Sequence, residues 1–562
     1  MENALHKEYQ RWCENVKEPL LAQELADIKG KEAEIEDRFS QELAFGTAGL
    51  RGVMGAGTNR MNIYSIRRVT RGLADYLNSV HKGAKVAISF DSRLNSKEFA
   101  AEVASVLSKN GIEAWIYSGI HPTPMLSFTV RRLGCQAGVM VTASHNPSKY
   151  NGYKVYDADG CQIGEDVADA ILAKIDGVDY FAQKRPEEEG KEVAVQVISQ
   201  QVEEDFYNVV LAQRMVDAPP TDITIAYTPL HGTGLVPVTT VLNRAGYTDI
   251  QIVEEQAKPD GTFPTASYPN PEMEPALELG VKLLQKTNAA MLLATDPDSD
   301  RVGVVSSSSN GPVHLNGNEI GVLLLDYLCR HRIATGRMPA NPIAVDSVVS
   351  SEMARIVAEH YGVEMREVLT GFKHIAGEIA VLEKTGEGDR FIFGFEESVG
   401  YMVGSYVRDK DAVGACLIAS DLAAECKANG QTLFDAMEDL YNKFGFYLSG
   451  LLTFQFEGPR GSEEMAARMR AMRSQSPAQL CGSKVVRVRD FLWDENNPLQ
   501  DRSLPSSNVL KFWLEDGTSV CMRPSGTEPK LKIYCTVNKK TRAEAEKAIA
   551  EYLQSLPKMV KD

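Results

Sequence analysis

The sequence predicts an α/β protein built from three similar α/β domains followed by one α+β domain. Three observations carry this. A chain of 562 residues has room for about four domains at roughly 150 residues each. Strand and helix patterns alternate three times, and each time a run of apolar residues ends in a polar loop. From Phe444 onward the pattern changes to successive strands closed by one helix.

In chain order, residues 1–40 are polar and helical in pattern and lead into the first core. The first unit has a strand at Val86–Phe90, an amphipathic stretch at Lys97–Lys109, and the apolar segment Ala137–Val141 that enters Ser144. The second has Ile223–Tyr227, helical stretches near 235–245 and 275–286, and Ala290–Ala294 entering Asp296. The third has Ile343–Asp346, helical stretches at Met353–Tyr361 and Lys373–Lys384, and Arg390–Phe393 entering Glu396. Pro219-Pro220 breaks the pattern between the first two units. Strands at Tyr447–Phe456, Lys484–Val488, Val509–Leu514 and Lys530–Val537, with a helix at Arg542–Leu556, form the last domain. The boundaries this reading gives are 1–212, 213–328, 329–443 and 444–562.

Composition narrows the function. With 43% hydrophobic and 24% charged residues, the chain reads as a soluble globular protein. A formal net charge of −16 argues against nucleic acid as a partner. The longest apolar run, Ile320–Leu328, is broken by Asp326 and falls far short of the ~20 residues of a membrane span. Nine cysteines without metal-ligand spacing, and an N-terminus without a signal-type apolar stretch, predict a cytoplasmic protein. Any phosphate site must be built locally from Arg and Lys against an unfavourable overall field.

Four loops carry chemistry. Thr142-Ala143-Ser144-His145-Asn146-Pro147 follows a buried strand and breaks at turn dipeptides, which predicts an exposed loop bearing Ser144. Adjacent residues on an extended loop point opposite ways, which makes His145 a poor triad base for Ser144. Neither a G-x-S-x-G elbow nor a P-loop occurs. Asp296-Pro297-Asp298-Ser299-Asp300-Arg301 places three carboxylates at alternate positions, a donor set for a hard cation such as Mg²⁺. A solvated acidic turn is the alternative, discounted because three carboxylates this close repel one another unless a cation sits among them. An EF-hand is excluded by Arg301 and Ser307 at its sixth and twelfth positions. In Arg523-Pro524-Ser525-Gly526-Thr527, the hydroxyls, the N–H groups near Gly526 and the Arg523 fork can surround an anion. Finally, Gly394-Phe395-Glu396-Glu397-Ser398, with Thr370-Gly371-Phe372-Lys373 upstream, offers groups suited to sugar hydroxyls and an anion.

Together these loops, with Phe45-Gly46-Thr47-Ala48-Gly49-Leu50-Arg51-Gly52 ahead of them and Arg408-Asp409-Lys410-Asp411 near the fourth, resemble the α-D-phosphohexomutase superfamily in content and order. The run Glu396-Glu397-Ser398 into Gly400-Tyr401-Met402 is most similar to the larger phosphoglucomutase-2-like branch. The resemblance implies a phosphohexomutase-like architecture with four domains around a central cleft. It implies a phosphoserine at Ser144, Mg²⁺ held by Asp296, Asp298, Asp300 and an oxygen on Ser144, and sugar phosphates as partners. His145, Arg51, Lys154 and Lys410 are the implied catalytic residues. Arg301, Gly371, Lys373, Glu396, Ser398, Arg523, Ser525, Gly526 and Thr527 are the implied substrate contacts. Tyr401 stands where some bacterial relatives have a catalytic histidine, which shifts the weight to Lys410. Ala412 stands where many relatives have Gly. The expected reaction interconverts glucose 1-phosphate and glucose 6-phosphate through glucose 1,6-bisphosphate, with a monomer or homodimer as the working form. Phosphomannomutase, phosphopentomutase and glucose 1,6-bisphosphate synthase activities are the alternatives within the fold. A metal-dependent phosphatase or a non-catalytic sugar-phosphate binder are the alternatives beyond it.

Overall fold

The computed structural model describes all residues except 1, 48, 182–191, 217–218, 457–459, 475, 495–498, 526–529 and 562. The chain divides into two compact units. The first comprises Met1–Leu315, Ile379–Gly388 and Ser398–Gly430, and the second comprises Asn316–Glu378, Asp389–Glu397 and Gln431–Asp562. No helix among the described residues is long and apolar enough to cross a membrane.

In the first unit, β1 (Phe45–Gly46), β2 (Gly49–Val53), β3 (Lys85–Phe90), β4 (Glu113–Ile116), β5 (Ala137–Val141), β6 (Tyr150–Tyr156) and β7 (Gln196–Val197) form one sheet. Its order is β1-β2-β6-β5-β3-β4-β7. A second sheet has β8 (Ile225–Thr228), β9 (Ile250–Ile252), β10 (Met291–Thr295), β11 (Val302–Ser306) and β12 (Val313–Leu315), in the order β12-β11-β10-β8-β9. In both sheets a central strand pairs in parallel with two neighbours, and one of those neighbours turns back as an antiparallel hairpin. Thus β3 pairs with β4 and β5, and β5 turns into β6. Likewise β8 pairs with β9 and β10, and β10 turns into β11. In the second unit β13 (Ile343–Ser347) lies parallel between β14 (Glu364–Val368) and β15 (Phe391–Glu396), which repeats the plan. The short strand β16 (Gly400–Met402) belongs to the first unit. This is the predicted repeat. Helices cover both faces of these strands, so every residue of β5, β10 and β13 is buried, including Thr295, Asp346 and Ser347 at the strand ends.

Two helices of the repeats open on a capping box. Asn62 accepts the Tyr64 and Ser65 N–H groups to open Ile63–Val80, and Asn316 does the same with Asn318 and Glu319 for Gly317–Ala334. The first-unit core packs Ile66, Leu73 and Leu77 of one helix, and Phe99, Val103 and Leu107 of another, against β3 and β5. The N-terminal helices pack around Trp12, which meets Phe39, Tyr64 and Tyr180 edge to face. In the second unit the C-terminal sheet is antiparallel, with β17 (Phe446–Gln455), β18 (Gln479–Leu480), β19 (Ser483–Asp490), β20 (Leu510–Leu514), β21 (Ser519–Pro524) and β22 (Lys530–Lys539) in the order β17-β22-β21-β20-β19-β18. The helix Arg542–Lys561 packs on β17 and β22.

Candidate active site

The hairpin from β5 to β6 carries Ser144, and the hairpin from β10 to β11 carries the three aspartates. Each contains a residue held at positive φ: Ser144 at 51° and Ser299 at 51°. That conformation, uncommon outside glycine, turns the chain sharply enough to aim side chains off the strand ends. It also corrects two expectations. Ser144 is buried, at 3% exposure, because the aspartate hairpin packs over it. Since the loop is not extended at Ser144, His145 does not point away: its Nδ1 lies 3.0 Å from Ser144 Oγ. Burial and the cations Arg301, Arg51, Arg93 and Lys154 push the His145 pKa well below its ordinary value, so the ring is neutral at pH 7.

Arg93, a residue the sequence reading passed over, fixes this loop. Its buried guanidinium donates to the carbonyls of Ser144 (2.6 Å), Pro147 (3.0 Å), Tyr150 (3.0 Å) and Asn146. Asp91 sits beside it, 3.3 Å from Nε, and accepts from Thr142 Oγ1 at 2.6 Å. Thr142 Oγ1 in turn accepts the Ser144 N–H at 2.8 Å. The signal was available: Asp91 and Arg93 directly follow the buried strand β3, where open α/β sheets place polar function.

Ser144 Oγ donates to Asp296 Oδ2 at 2.7 Å. Asp296, Asp298 and Asp300 are all buried, and one carboxylate oxygen of each lies within 4.8 Å of the others. Two ammonium groups stand against them. Lys154 Nζ is 2.7 Å from Asp298 Oδ2 and 3.3 Å from Asp300 Oδ2, and Lys410 Nζ is 3.1 Å from Asp300 Oδ2. Burial and the neighbouring Asp298 and Asp300 push the Asp296 carboxyl up. Burial acts the same way on Asp298, but Lys154 outweighs it and holds that carboxyl low. Even so, Asp298 Oδ1 and Asp300 Oδ1 are buried with no hydrogen-bond partner among the described residues. Buried carboxylate oxygens left bare are costly unless something fills them. The donor set is all oxygen and fits a hard divalent cation.

Lys410 is held as well as charged. Its Nζ is 2.9 Å from Asp409 Oδ1, and Asp409 Oδ2 accepts from Tyr156 (2.8 Å) and Gln162 (3.1 Å). Its aliphatic stem lies over Gly400, where a Cβ would meet Lys410 Cδ at 2.3 Å. Arg51 is exposed and reaches Asn146 Oδ1 at 3.3 Å. Arg301 donates to the Ser398 carbonyl at 3.2 Å and stands 3.5 Å from Glu272. So the first unit brings together Ser144, His145, Lys154, the aspartates and Lys410, with Arg51 and Arg301 at the ends of the same loops.

In the second unit, Glu396 is buried and its Oε1 accepts the Gly371 N–H at 2.6 Å. Gly371 sits at φ 118°, which a side chain would strain. Lys373 is the second residue of the helix Phe372–Lys384 and is half-buried. Burial and Lys373 lower the adjacent His374 to about 4. Ser347 at the end of β13 donates to Glu397 Oε2 at 3.3 Å. Arg523 is the last residue but one of β21, and the Ser525 N–H donates to the Lys530 carbonyl at 2.7 Å. Gly526 and Thr527 lie outside the described residues.

Four family models match the chain in order, all described as phosphoglucomutase/phosphomannomutase: α/β/α domain I at residues 42–181, domain II at 204–309, domain III at 316–444, and the C-terminal domain at 481–551. A phosphoglucomutase of Staphylococcus haemolyticus is 35% identical over 530 residues, covering 92% of this chain and 94% of its own. One from Staphylococcus aureus is 36% identical over 534 residues, covering 94% and 95%. Among solved structures, pp63/parafusin, a phosphoglucomutase from Paramecium, superposes with a TM-score of 0.67 at 16% identity, covering 92% of this chain and 96% of its own. A phosphoglucomutase/phosphomannomutase family protein from Burkholderia thailandensis gives 0.65 at 18% identity with the same coverage. These two likenesses bear on the fold.

Proposed function

The chain belongs to the phosphoglucomutase/phosphomannomutase family, and on that premise we propose that it interconverts α-D-glucose 1-phosphate and glucose 6-phosphate through phosphorylated Ser144 and a glucose 1,6-bisphosphate intermediate. The observation that carries the reading is Ser144 Oγ at 2.7 Å from one of three clustered, buried carboxylates, two of which keep an oxygen without a hydrogen bond among the described residues. A serine ester needs such a setting, because cleaving a phosphate monoester is slow unless charge is placed against the moving group.

In this reading Asp296, Asp298, Asp300 and an oxygen on Ser144 hold Mg²⁺, which when bound supplies positive charge against the phosphoryl group. The P–Oγ bond breaks as a sugar hydroxyl bonds to phosphorus. The hydroxyl's proton leaves to a base, and Ser144 Oγ is left as the alkoxide or takes a proton. Neutral His145, 3.0 Å from Oγ, is placed to exchange that proton. Lys154 and Lys410 add positive charge at the same end. The bisphosphate then reverses in the site and Ser144 recovers the other phosphoryl group. Glu396 and Ser398 are assigned to the ring hydroxyls, Gly371, Lys373 and Arg301 to their surroundings, and Arg523, Ser525, Gly526 and Thr527 to the phosphate that is not reacting. Arg51 adds charge near Ser144. The domains carrying these roles are divided at 212/213, 328/329 and 443/444.

The test is purified protein with glucose 1-phosphate, Mg²⁺ and catalytic glucose 1,6-bisphosphate, assayed for glucose 6-phosphate and for inorganic phosphate, with mannose and ribose phosphates in parallel. Glucose 6-phosphate without phosphate release, and a higher kcat/KM for glucose than for mannose or ribose phosphate, is the expected result. Net phosphate release, or a higher kcat/KM on another sugar, overturns it.

A further inference from the structure

We propose that Thr123 is a positioning residue that turns the Asp298 carboxylate so that its Oδ1, not its Oδ2, faces the metal. The inference rests on the reading of the aspartate hairpin as the Mg²⁺ site.

Thr123 is the first residue of the helix Thr123–Leu133 and is wholly buried. Its Oγ1 donates to Asp298 Oδ2 at 2.8 Å, and its N–H donates to the Asp298 carbonyl at 2.9 Å. One residue therefore grips both the side chain and the main chain of one aspartate. Flanking Pro122 and Pro124 restrict the backbone there, which keeps the grip fixed.

The consequence is a division of labour between two oxygens. A carboxylate oxygen has two lone-pair sites. On Asp298 Oδ2 those are met by Thr123 Oγ1 at 2.8 Å and Lys154 Nζ at 2.7 Å, while Oδ1 has no partner among the described residues. The saturated oxygen turns away from the cation and the bare one turns toward it. The two donors are not equivalent. Lys154 is charged and shared with Asp300 at 3.3 Å. Thr123 is neutral, short and anchored by its own N–H, so it holds the carboxylate wherever the ammonium goes during turnover.

On the opposite side the hairpin is also clasped. The Thr233 N–H donates to the Pro297 carbonyl at 2.9 Å, and Gly232 packs so close that a Cβ would lie 2.4 Å from Pro297 Cα. These contacts fix where the hairpin sits, whereas Thr123 alone among them touches a carboxylate. Groups that orient a metal ligand are typically worth about 10- to 100-fold in metal affinity.

The test is calorimetric titration of Mg²⁺ into the full chain, without substrate, for the wild type, Thr123→Val and Thr123→Ser. Thr123→Val keeps the shape but removes the donor, and is expected to weaken Mg²⁺ binding by about 10- to 100-fold, with Thr123→Ser restoring most of it. At saturating Mg²⁺ the kcat of Thr123→Val should recover toward wild type. A role in packing alone would lower thermal stability and leave the Mg²⁺ affinity unchanged, and that result overturns the proposal. Should Thr123→Val not fold, Thr123→Ala is read by the same titration. A wild type that binds no Mg²⁺ overturns the metal reading itself, which separates that failure from equal affinities in wild type and variant.

Discussion

Two groups of carboxylates set around buried lysines, one in each unit, invite comparison. In the second unit Glu352 and Glu367 face cations of β19 and β20. Glu352 Oε1 takes Lys511 Nζ (2.9 Å) and Trp513 Nε1 (3.2 Å), and its Oε2 takes Arg355 (3.0 Å). Glu367 Oε1 takes Arg489 (2.5 Å) and its Oε2 takes Lys511 (3.3 Å). All four oxygens have donors. In the first unit Asp298 and Asp300 also face two lysines, yet each keeps one buried oxygen without a hydrogen bond among the described residues, Asp300 Oδ1 standing 3.8 Å from Arg301 Nε. Both groups are acidic and bound to buried lysines. Saturation separates them: a complete set of donors makes an ion-pair lock, and an incomplete one leaves coordination sites. A buried lysine beside acids is therefore no sign of catalysis until the oxygens are counted.

The largest effect expected from this distinction is chemical. Ser144→Ala should fold normally and lose turnover by on the order of 10³-fold or more, read as kcat, because the phosphoryl acceptor is gone. Normal turnover in that variant breaks the assignment of the first group.

Lys511→Met should instead strike stability. It removes one donor from each of two half-buried glutamates, which keep Arg355, Trp513 and Arg489, and is expected to cost about 1–3 kcal/mol in denaturant unfolding, with kcat per folded molecule little changed. The loss should depend on pH. Burial pushes the Glu352 carboxyl up, but Lys511 and Arg355 more than reverse this and hold it at about 2, against an ordinary 4.5. A carboxyl held low contributes stability that is full above about pH 4.5 and is lost as pH falls toward about 2. The gap between wild type and Lys511→Met should therefore narrow across that window. A gap that stays constant would mean the pair does not set it.

Asp300→Asn sharpens the contrast through its sign. It relieves repulsion while Lys154 keeps Asp298 and Lys410 keeps Asp409, so the metal-free protein should melt no lower than wild type. Its Mg²⁺ affinity should fall by about tenfold or more in titration. The smallest effect is expected at Gly400. In Gly400→Ala the new methyl displaces the Lys410 stem, and kcat should fall by about tenfold with KM little moved. A change in KM alone would make Lys410 a binding group.

How much of this was legible in the sequence follows from local physics. The threefold repeat was readable because β3, β5, β10 and β13 are buried on both faces and so form mostly apolar runs, polar only at Lys85, Ser89, Thr295, Asp346 and Ser347. The aspartate and Ser144 hairpins were readable because their chemistry is contiguous in sequence. The helix Ala412–Ala428 was not, since nearly every residue is buried and no polar face gives it a period. Nor was the proximity of His145 to Ser144, which depends on a positive φ that residue types do not announce. Thr123, Arg93 and the Lys511 group act across long sequence separations, and only folding assembles them. Lys511 left a trace all the same: a lone lysine within Leu510-Lys511-Phe512-Trp513-Leu514 asks for a buried acid.

The most direct test of the central claim is to locate the phosphoryl group. The full-length protein is incubated with glucose 1,6-bisphosphate and Mg²⁺, digested and mapped by peptide mass spectrometry, then chased with glucose 1-phosphate. One phosphate on Ser144 that disappears in the chase as bisphosphate forms is the predicted result. A phosphate on any other residue, or an unmodified Ser144 in a fully active enzyme, contradicts it.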